Sequence, residues 1–94
     1  MAISGFDWDE GNWPKCAKHG VSKAEIEHVL TGEPKVQPDR TGSAEPRLNA
    51  IGRTAEGRYL FIVFMIRTRQ DRTLIRPISA RFMHQQEIDR YERG

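Results

Sequence analysis

Residues 59–66, YLFIVFMI, form an unbroken apolar run rich in β-branched and aromatic side chains, the mark of a strand covered on both faces. This run is the expected centre of a sheet. Residues 47–53 come before it and alternate Leu48 and Ala50 against Asn49 and Ile51, and residues 54–57, TAEG, can turn the chain from one strand into the next. Past a polar turn at 68–71, residues 72–81 mix Leu74, Ile75 and Ile78 with Arg72, Arg76, Ser79 and Arg81. A strand facing the core there also carries guanidinium groups. Together these segments predict a three-stranded antiparallel meander. Pro77 has no N–H to give a ladder, so the last strand is expected at an edge or with a bulge near Pro77.

The flanks are read in the same way. Residues 3–8 alternate, with Phe6 and Trp8 pointing inward, and predict a short first strand. Asp9 caps an expected helix running to about His19, although Gly11 and Pro14 weaken its first half. Gly20 then follows Lys18 and His19 as a helix-ending glycine. Ser22-Lys23-Ala24-Glu25 matches a capping box, Val21 can staple onto Ile26, and Ile26, Val29 and Leu30 make one apolar stripe that Gly32 and Pro34 terminate. Residues 33–46 show neither period and read as a surface loop. Residues 83–93 space His84, Ile88 and Tyr91 along the narrow apolar face of a short charged helix. The expected architecture is α+β: a small antiparallel sheet of about four strands, three of them a meander, packed against two N-terminal helices and a short C-terminal helix.

Ninety-four residues, 37% hydrophobic and 30% charged, suit one domain with one modest core. The longest apolar run falls far short of the roughly 18 residues a membrane span needs. No secretion signal is legible at residues 1–8, and the single Cys16 has no partner for an internal disulfide, so a cytoplasmic location is expected. Charge is divided unevenly. Residues 1–45 hold five Lys or Arg against eight Asp or Glu, whereas residues 46–94 hold ten against five, and all ten are arginine. Arginine is the side chain suited to bidentate contact with phosphate or carboxylate.

Several chemistries are excluded by motif. His19, His28 and His84 are widely separated, no HExxH or CxxC occurs, and the carboxylates are scattered, so neither a metal site nor another cofactor is expected. Gly52 and Gly57 match no phosphate-binding loop, GxSxG is absent, and Cys16 reads as a buried inert thiol. What remains is a basic strand-and-helix surface of Arg53, Arg76 and Arg81, with Glu87 and Tyr91 from the last helix. Metal-free RNA cleavage must remove the 2′-hydroxyl proton, neutralise the pentacoordinate phosphate and protonate the leaving 5′-oxygen. Arginine can perform the second task, and Glu, His or Tyr the others. This requires guanidinium groups from separate strands to converge beside the last helix on one anionic pocket.

In order, Phe6-Asp7-Trp8-Asp9-Glu10, Lys18-His19-Gly20-Val21-Ser22, Ala50-Ile51-Gly52-Arg53 and Ile75-Arg76-Pro77-Ile78-Ser79-Ala80-Arg81, followed by Glu87 and Tyr91, resemble the BrnT family of bacterial type II toxins over nearly the whole chain. The resemblance implies a RelE-like fold and a cytoplasmic endoribonuclease that inhibits translation. It also implies neutralisation by a BrnA-like antitoxin, as a heterotetramer with an antitoxin dimer, with operator DNA bound only through that complex. Carried over by position, it marks Lys18, His19, Gly20, Arg53, Ser79, Arg81, Glu87 and Tyr91 as site residues. Joined with the basic surface read above, the expected catalytic set is His19, Arg53, Arg76, Arg81, Glu87 and Tyr91, with Lys18, Arg47, Arg72 and Ser79 as expected RNA contacts. Lys23, Pro14 and Pro77 depart from the family pattern, and a bulge at Pro77 would re-aim Arg76 and Arg81. Two rival readings use the same residues. One is a non-catalytic interaction module whose complex with a partner binds DNA; the other is a plain nucleic-acid-binding domain, for which no stacking platform of aromatic side chains is evident.

Overall fold

The computed structural model describes residues 3–39 and 46–93. Its five strands are β1 (Gly5–Phe6), β2 (Lys35–Pro38), β3 (Leu48–Arg53), β4 (Tyr59–Arg69) and β5 (Arg72–Phe82), in the spatial order β1-β5-β4-β3-β2. Two α-helices accompany them, α1 (Lys23–Thr31) and α2 (Gln85–Arg93), with a 3-10 turn at Lys15–His19. This corrects the expected fold class. The sheet is five-stranded and mixed, because β1 runs parallel to β5 while the other neighbours are antiparallel. One α-helix, not two, precedes β2.

The missing helix has a local cause. The Asp9 side chain accepts the Gly11 N–H at 2.7 Å, and its carbonyl accepts from Asn12 and Trp13, so the chain turns instead of extending a helical ladder. Gly11 and Pro14 oppose helix continuation, and only Lys15–His19 winds, as a 3-10 turn closed by Gly20 at φ 84°. The extra strand β2 lies inside the segment read as a loop. It was illegible because its residues are all exposed and carry no alternation. Residues 40–45 of that loop lie outside the described residues.

Helix α1 starts where its capping box predicts: the Ser22 hydroxyl accepts the Glu25 N–H at 3.1 Å and the Glu25 carboxylate accepts the Ser22 N–H at 2.9 Å. Its Ile26, Val29 and Leu30 join Cys16 and Val21 in packing on one sheet face, where Ala50, Ile62 and Ala80 pair across three strands. Close approach depends on small residues beneath the helix. A Cβ at Gly52 would stand 2.8 Å from Val29 Cγ1, closer than real contacts allow, and would touch Pro34 Cβ at 3.4 Å.

The opposite sheet face positions the chemistry. Directly paired residues share a side, so Arg53 with Tyr59, Ile51 with Phe61 and Arg81, Asn49 with Val63 and Ser79, and Met65 with Arg76 all face away from α1. Five positions separate Arg76 from Arg81, which in an unbroken strand would send them to opposite faces. A register shift prevents this: Val63 pairs with Ser79 but Phe64 with Pro77, leaving Ile78 as the extra residue of a bulge. The bulge foreseen near Pro77 therefore brings the two arginines onto one face. β5 is interior, not an edge, and the buried Pro77 contributes its carbonyl to Asn12 Nδ2 at 2.9 Å.

The outer edge of the sheet is β2. Asp39 N–H donates to the Arg47 carbonyl, so by alternation positions 34, 36 and 38 turn their backbone groups outward. Two of those are Pro34 and Pro38, which leaves only the Val36 N–H to receive another strand.

Candidate functional site

Arg81 is the centre of the most chemically equipped region. Its Nη1 and Nη2 donate to the two Glu87 oxygens at 2.7 and 2.8 Å, and its guanidinium lies over the Phe61 ring, 4.9 Å from the centroid. Glu87 projects from the first turn of α2, where Oε1 also accepts the His84 N–H at 2.9 Å. The carboxylate thereby joins β5 to α2 and caps the helix. Two of the five Arg81 N–H donors are used here, and among the described residues the other three take no hydrogen-bond acceptor.

Beside Arg81 an open cleft of about 340 Å³ is lined by His19, Arg81, Phe82, Met83 and His84. The 3-10 turn that replaced the expected helix packs on β5, and this puts His19, its last residue, across from Arg81. A second cleft of about 240 Å³, lined by Ile51, Phe61, Met83, Glu87, Arg90 and Tyr91, adjoins it through Met83 and the Arg81–Glu87 pair. Arg53 is tied into the far end. Its Nη2 donates to the Tyr59 hydroxyl at 2.7 Å, Tyr59 donates to Glu92 at 3.1 Å, and the Tyr59 and Tyr91 rings meet edge to face at 5.7 Å.

The structure therefore gathers His19, Arg81 and Glu87, with Tyr91 adjacent and Arg53 linked through Tyr59. It does not bring Arg53, Arg76 and Arg81 onto one phosphate. Arg76 pairs with Met65 and Arg81 with Phe61, four residues apart on β4, or about 13 Å at a strand's rise. Each arginine also has its own acidic partner. Arg76 bonds Asp9 at 3.0 Å through both Nη atoms and reaches Asp7 at 3.4 Å, and its side chain is only 15% exposed. It tethers the segment after β1 to β5. Arg53 pairs with Glu92 at 3.2 Å.

The remaining expected RNA contacts are dispersed. Ser79 is exposed on the Arg81 face two residues away, and Lys18 is exposed beside His19. Arg47 is half-buried just before β3, and Arg72 stands at the β4–β5 hairpin opposite Arg69. His84, read from sequence as part of a helix face, was not foreseen in the site. Its sequence signal was its place just before α2, two residues after β5 ends.

The ion pairs shift the groups that make them. Hydrogen bonding from Arg81, then from the His84 N–H, holds the Glu87 carboxyl down at about 2, and the same pairing pushes the Arg81 guanidinium up. Such a carboxylate stays ionised and is a weak proton acceptor near neutrality, where an efficient base titrates close to the working pH. Glu87 is therefore suited to orienting Arg81. Arg76 likewise holds the Asp9 carboxyl below its usual range, helped by the Gly11 N–H.

The Glu87 shift gives a pH dependence. Its carboxyl titrates at about 2 in the fold against 4.5 when free, so the unfolded chain binds the proton more readily. The pair's stabilisation is complete above about pH 4.5 and is lost as pH falls toward about 2. The melting-temperature gap between wild type and Glu87→Gln should hold steady above that window and close within it. A gap that ignores pH would mean the carboxylate charge contributes nothing.

Among the described residues, no group of three or more His, Cys, Asp or Glu could hold a metal ion, and no helix is long and apolar enough to cross a membrane. A family model described as "Ribonuclease toxin, BrnT, of type II toxin-antitoxin system" matches residues 8–87. No curated protein matches the chain.

Proposed function

Because the chain belongs to the BrnT family of ribonuclease toxins of type II toxin–antitoxin systems, we propose that it cuts RNA internally in the His19–Arg81 cleft, without a metal, and so inhibits translation in the cytoplasm. The supporting observation is that one open cleft holds an imidazole and a guanidinium whose orientation a carboxylate fixes. Arg81 neutralises charge on the pentacoordinate phosphate, in the place a metalloenzyme gives to a divalent cation. His19 takes the 2′-hydroxyl proton. Lys18 and Ser79 flank the cleft and guide the RNA backbone, Arg47 and Arg72 extend that track along the sheet, and Tyr91 with Arg53 borders the neighbouring cleft. Arg76 acts through the fold, holding the segment after β1 against β5.

A type II toxin has an antitoxin partner, and we assign that role to a BrnA-like protein whose dimer joins two toxins and carries the complex to operator DNA. The rival reading, an interaction module without catalysis, draws on the pairing of each arginine with a carboxylate in the free chain. Purified toxin stripped of its partner separates the two. RNA should be cleaved in EDTA and in Mg²⁺ alike. RNA left intact in both, by protein that still binds the neighbouring gene product tightly, would establish the module.

A further inference from the structure

Cleavage at the 2′-hydroxyl needs two proton transfers, and the reading above supplies only one group. We propose that His84 is the second, protonating the leaving 5′-oxygen while His19 accepts the proton of the attacking 2′-hydroxyl. The inference rests on the ribonuclease reading of this cleft and adds a catalytic residue to it.

The geometry is specific. His19 and His84 line the same cleft with Arg81, and they come from elements far apart in sequence, the 3-10 turn and the start of α2. The His84 backbone is held on both sides, its N–H by Glu87 Oε1 at 2.9 Å and its carbonyl by the Ile88 N–H at 3.0 Å. Its ring, by contrast, makes no hydrogen bond among the described residues, and it is exposed. Helices prefer Ser, Thr, Asp or Asn at this position because those side chains satisfy a free N–H of the first turn. The imidazole does not perform that task here. The charged and titratable groups around it are Arg81 from β5, Glu87 from α2 and His19 from the 3-10 turn, with Phe82 and Met83 as apolar walls.

The step balances without any further reactant. The 2′-oxygen loses its proton to His19 and bonds to phosphorus, and the bond from phosphorus to the 5′-oxygen breaks. That oxygen takes the proton of His84. The products are a 2′,3′-cyclic phosphate and a 5′-hydroxyl, and proton exchange with water resets both rings.

His84→Ser is the informative variant because serine restores a strong helix cap while removing the proton donor. On an RNA oligonucleotide, kcat/KM should fall by about 10²–10⁴-fold, the contribution usual for a positioned acid. The alkaline limb of the pH–rate profile should disappear with it. On the same oligonucleotide carrying a bridging 5′-sulfur at the cut site, whose thiolate leaves without protonation, the variant should approach the wild-type rate. Unchanged cleavage of ordinary RNA would leave His84 no part in the chemistry. An equal loss on both substrates would make its role positional, and either result overturns the assignment. If the wild type itself leaves RNA intact, the ribonuclease reading fails first, so the two failures are distinguishable.

Discussion

Arg81→Ala is expected to lower RNA cleavage by about 10²–10³-fold, the usual cost of removing one preorganised donor from a site of developing negative charge. Of the arginines proposed from sequence, Arg81 alone lines the cleft that also holds His19. Its bidentate hold on Glu87 fixes the fork before a ligand arrives. Expression of wild type in bacteria should arrest growth with loss of RNA, and Arg81→Ala should relieve it. Folding should survive, because a half-exposed ion pair contributes at most about 1 kcal/mol and Glu87 retains its bond to the His84 N–H. Arg81→Lys keeps the charge but loses the planar fork, so it should recover only part of the activity. Full activity in a well-folded Arg81→Ala would remove the site.

Asn12→Ala should produce the largest loss of stability among substitutions outside the apolar core. Asn12 is 3% exposed. Its Nδ2 donates to the carbonyls of Asp7 and Pro77 at 2.9 Å each, and its Oδ1 accepts the Asp9 N–H at 2.8 Å. Alanine would leave two buried carbonyls and an amide without partners. At roughly 1–3 kcal/mol for each unsatisfied buried group, a loss of about 3 kcal/mol follows, or a melting temperature lower by roughly 12–24 °C. The effect should reach the cleft as well, because Asn12 anchors the segment that carries the 3-10 turn, and His19 with it, to β5. A variant melting within about 2 °C of wild type would show that this anchor is dispensable.

The residues that were legible from sequence are those whose neighbours along the chain settle their state. The capping box at Ser22 and Glu25, the positive-φ glycine at position 20 and the apolar stripe of α1 are local patterns, and local hydrogen bonding satisfies them. The run at 59–66 announced a strand by its β-branched and aromatic residues, although only the face of Leu60, Ile62 and Phe64 is fully buried and Tyr59, Phe61 and Val63 on the other are half-buried. Where the prediction failed, local signals were weak or in competition. β2 carries no period, β1 owes its parallel pairing to a strand 69 positions further on, and the helix expected after Asp9 yields to an Asx-type turn that Gly11 and Pro14 favour.

The site divides in the same way. By itself the sequence determined which side chains were available: ten arginines in the second half, histidines in three separate segments, and a stretch, residues 8–87, that matches the BrnT family. Whether those groups met was decided by the tertiary structure. The bulge at Ile78 put Arg76 and Arg81 on one face, the partners of Arg53 and Arg76 drew them away from a shared phosphate, and packing of the 3-10 turn on β5 placed His19 and His84 around Arg81. The physical reason is range. Capping and periodicity act over a few residues, whereas an ion pair or a shared cleft depends on which strands lie side by side, and that is settled only when the whole sheet closes on its core.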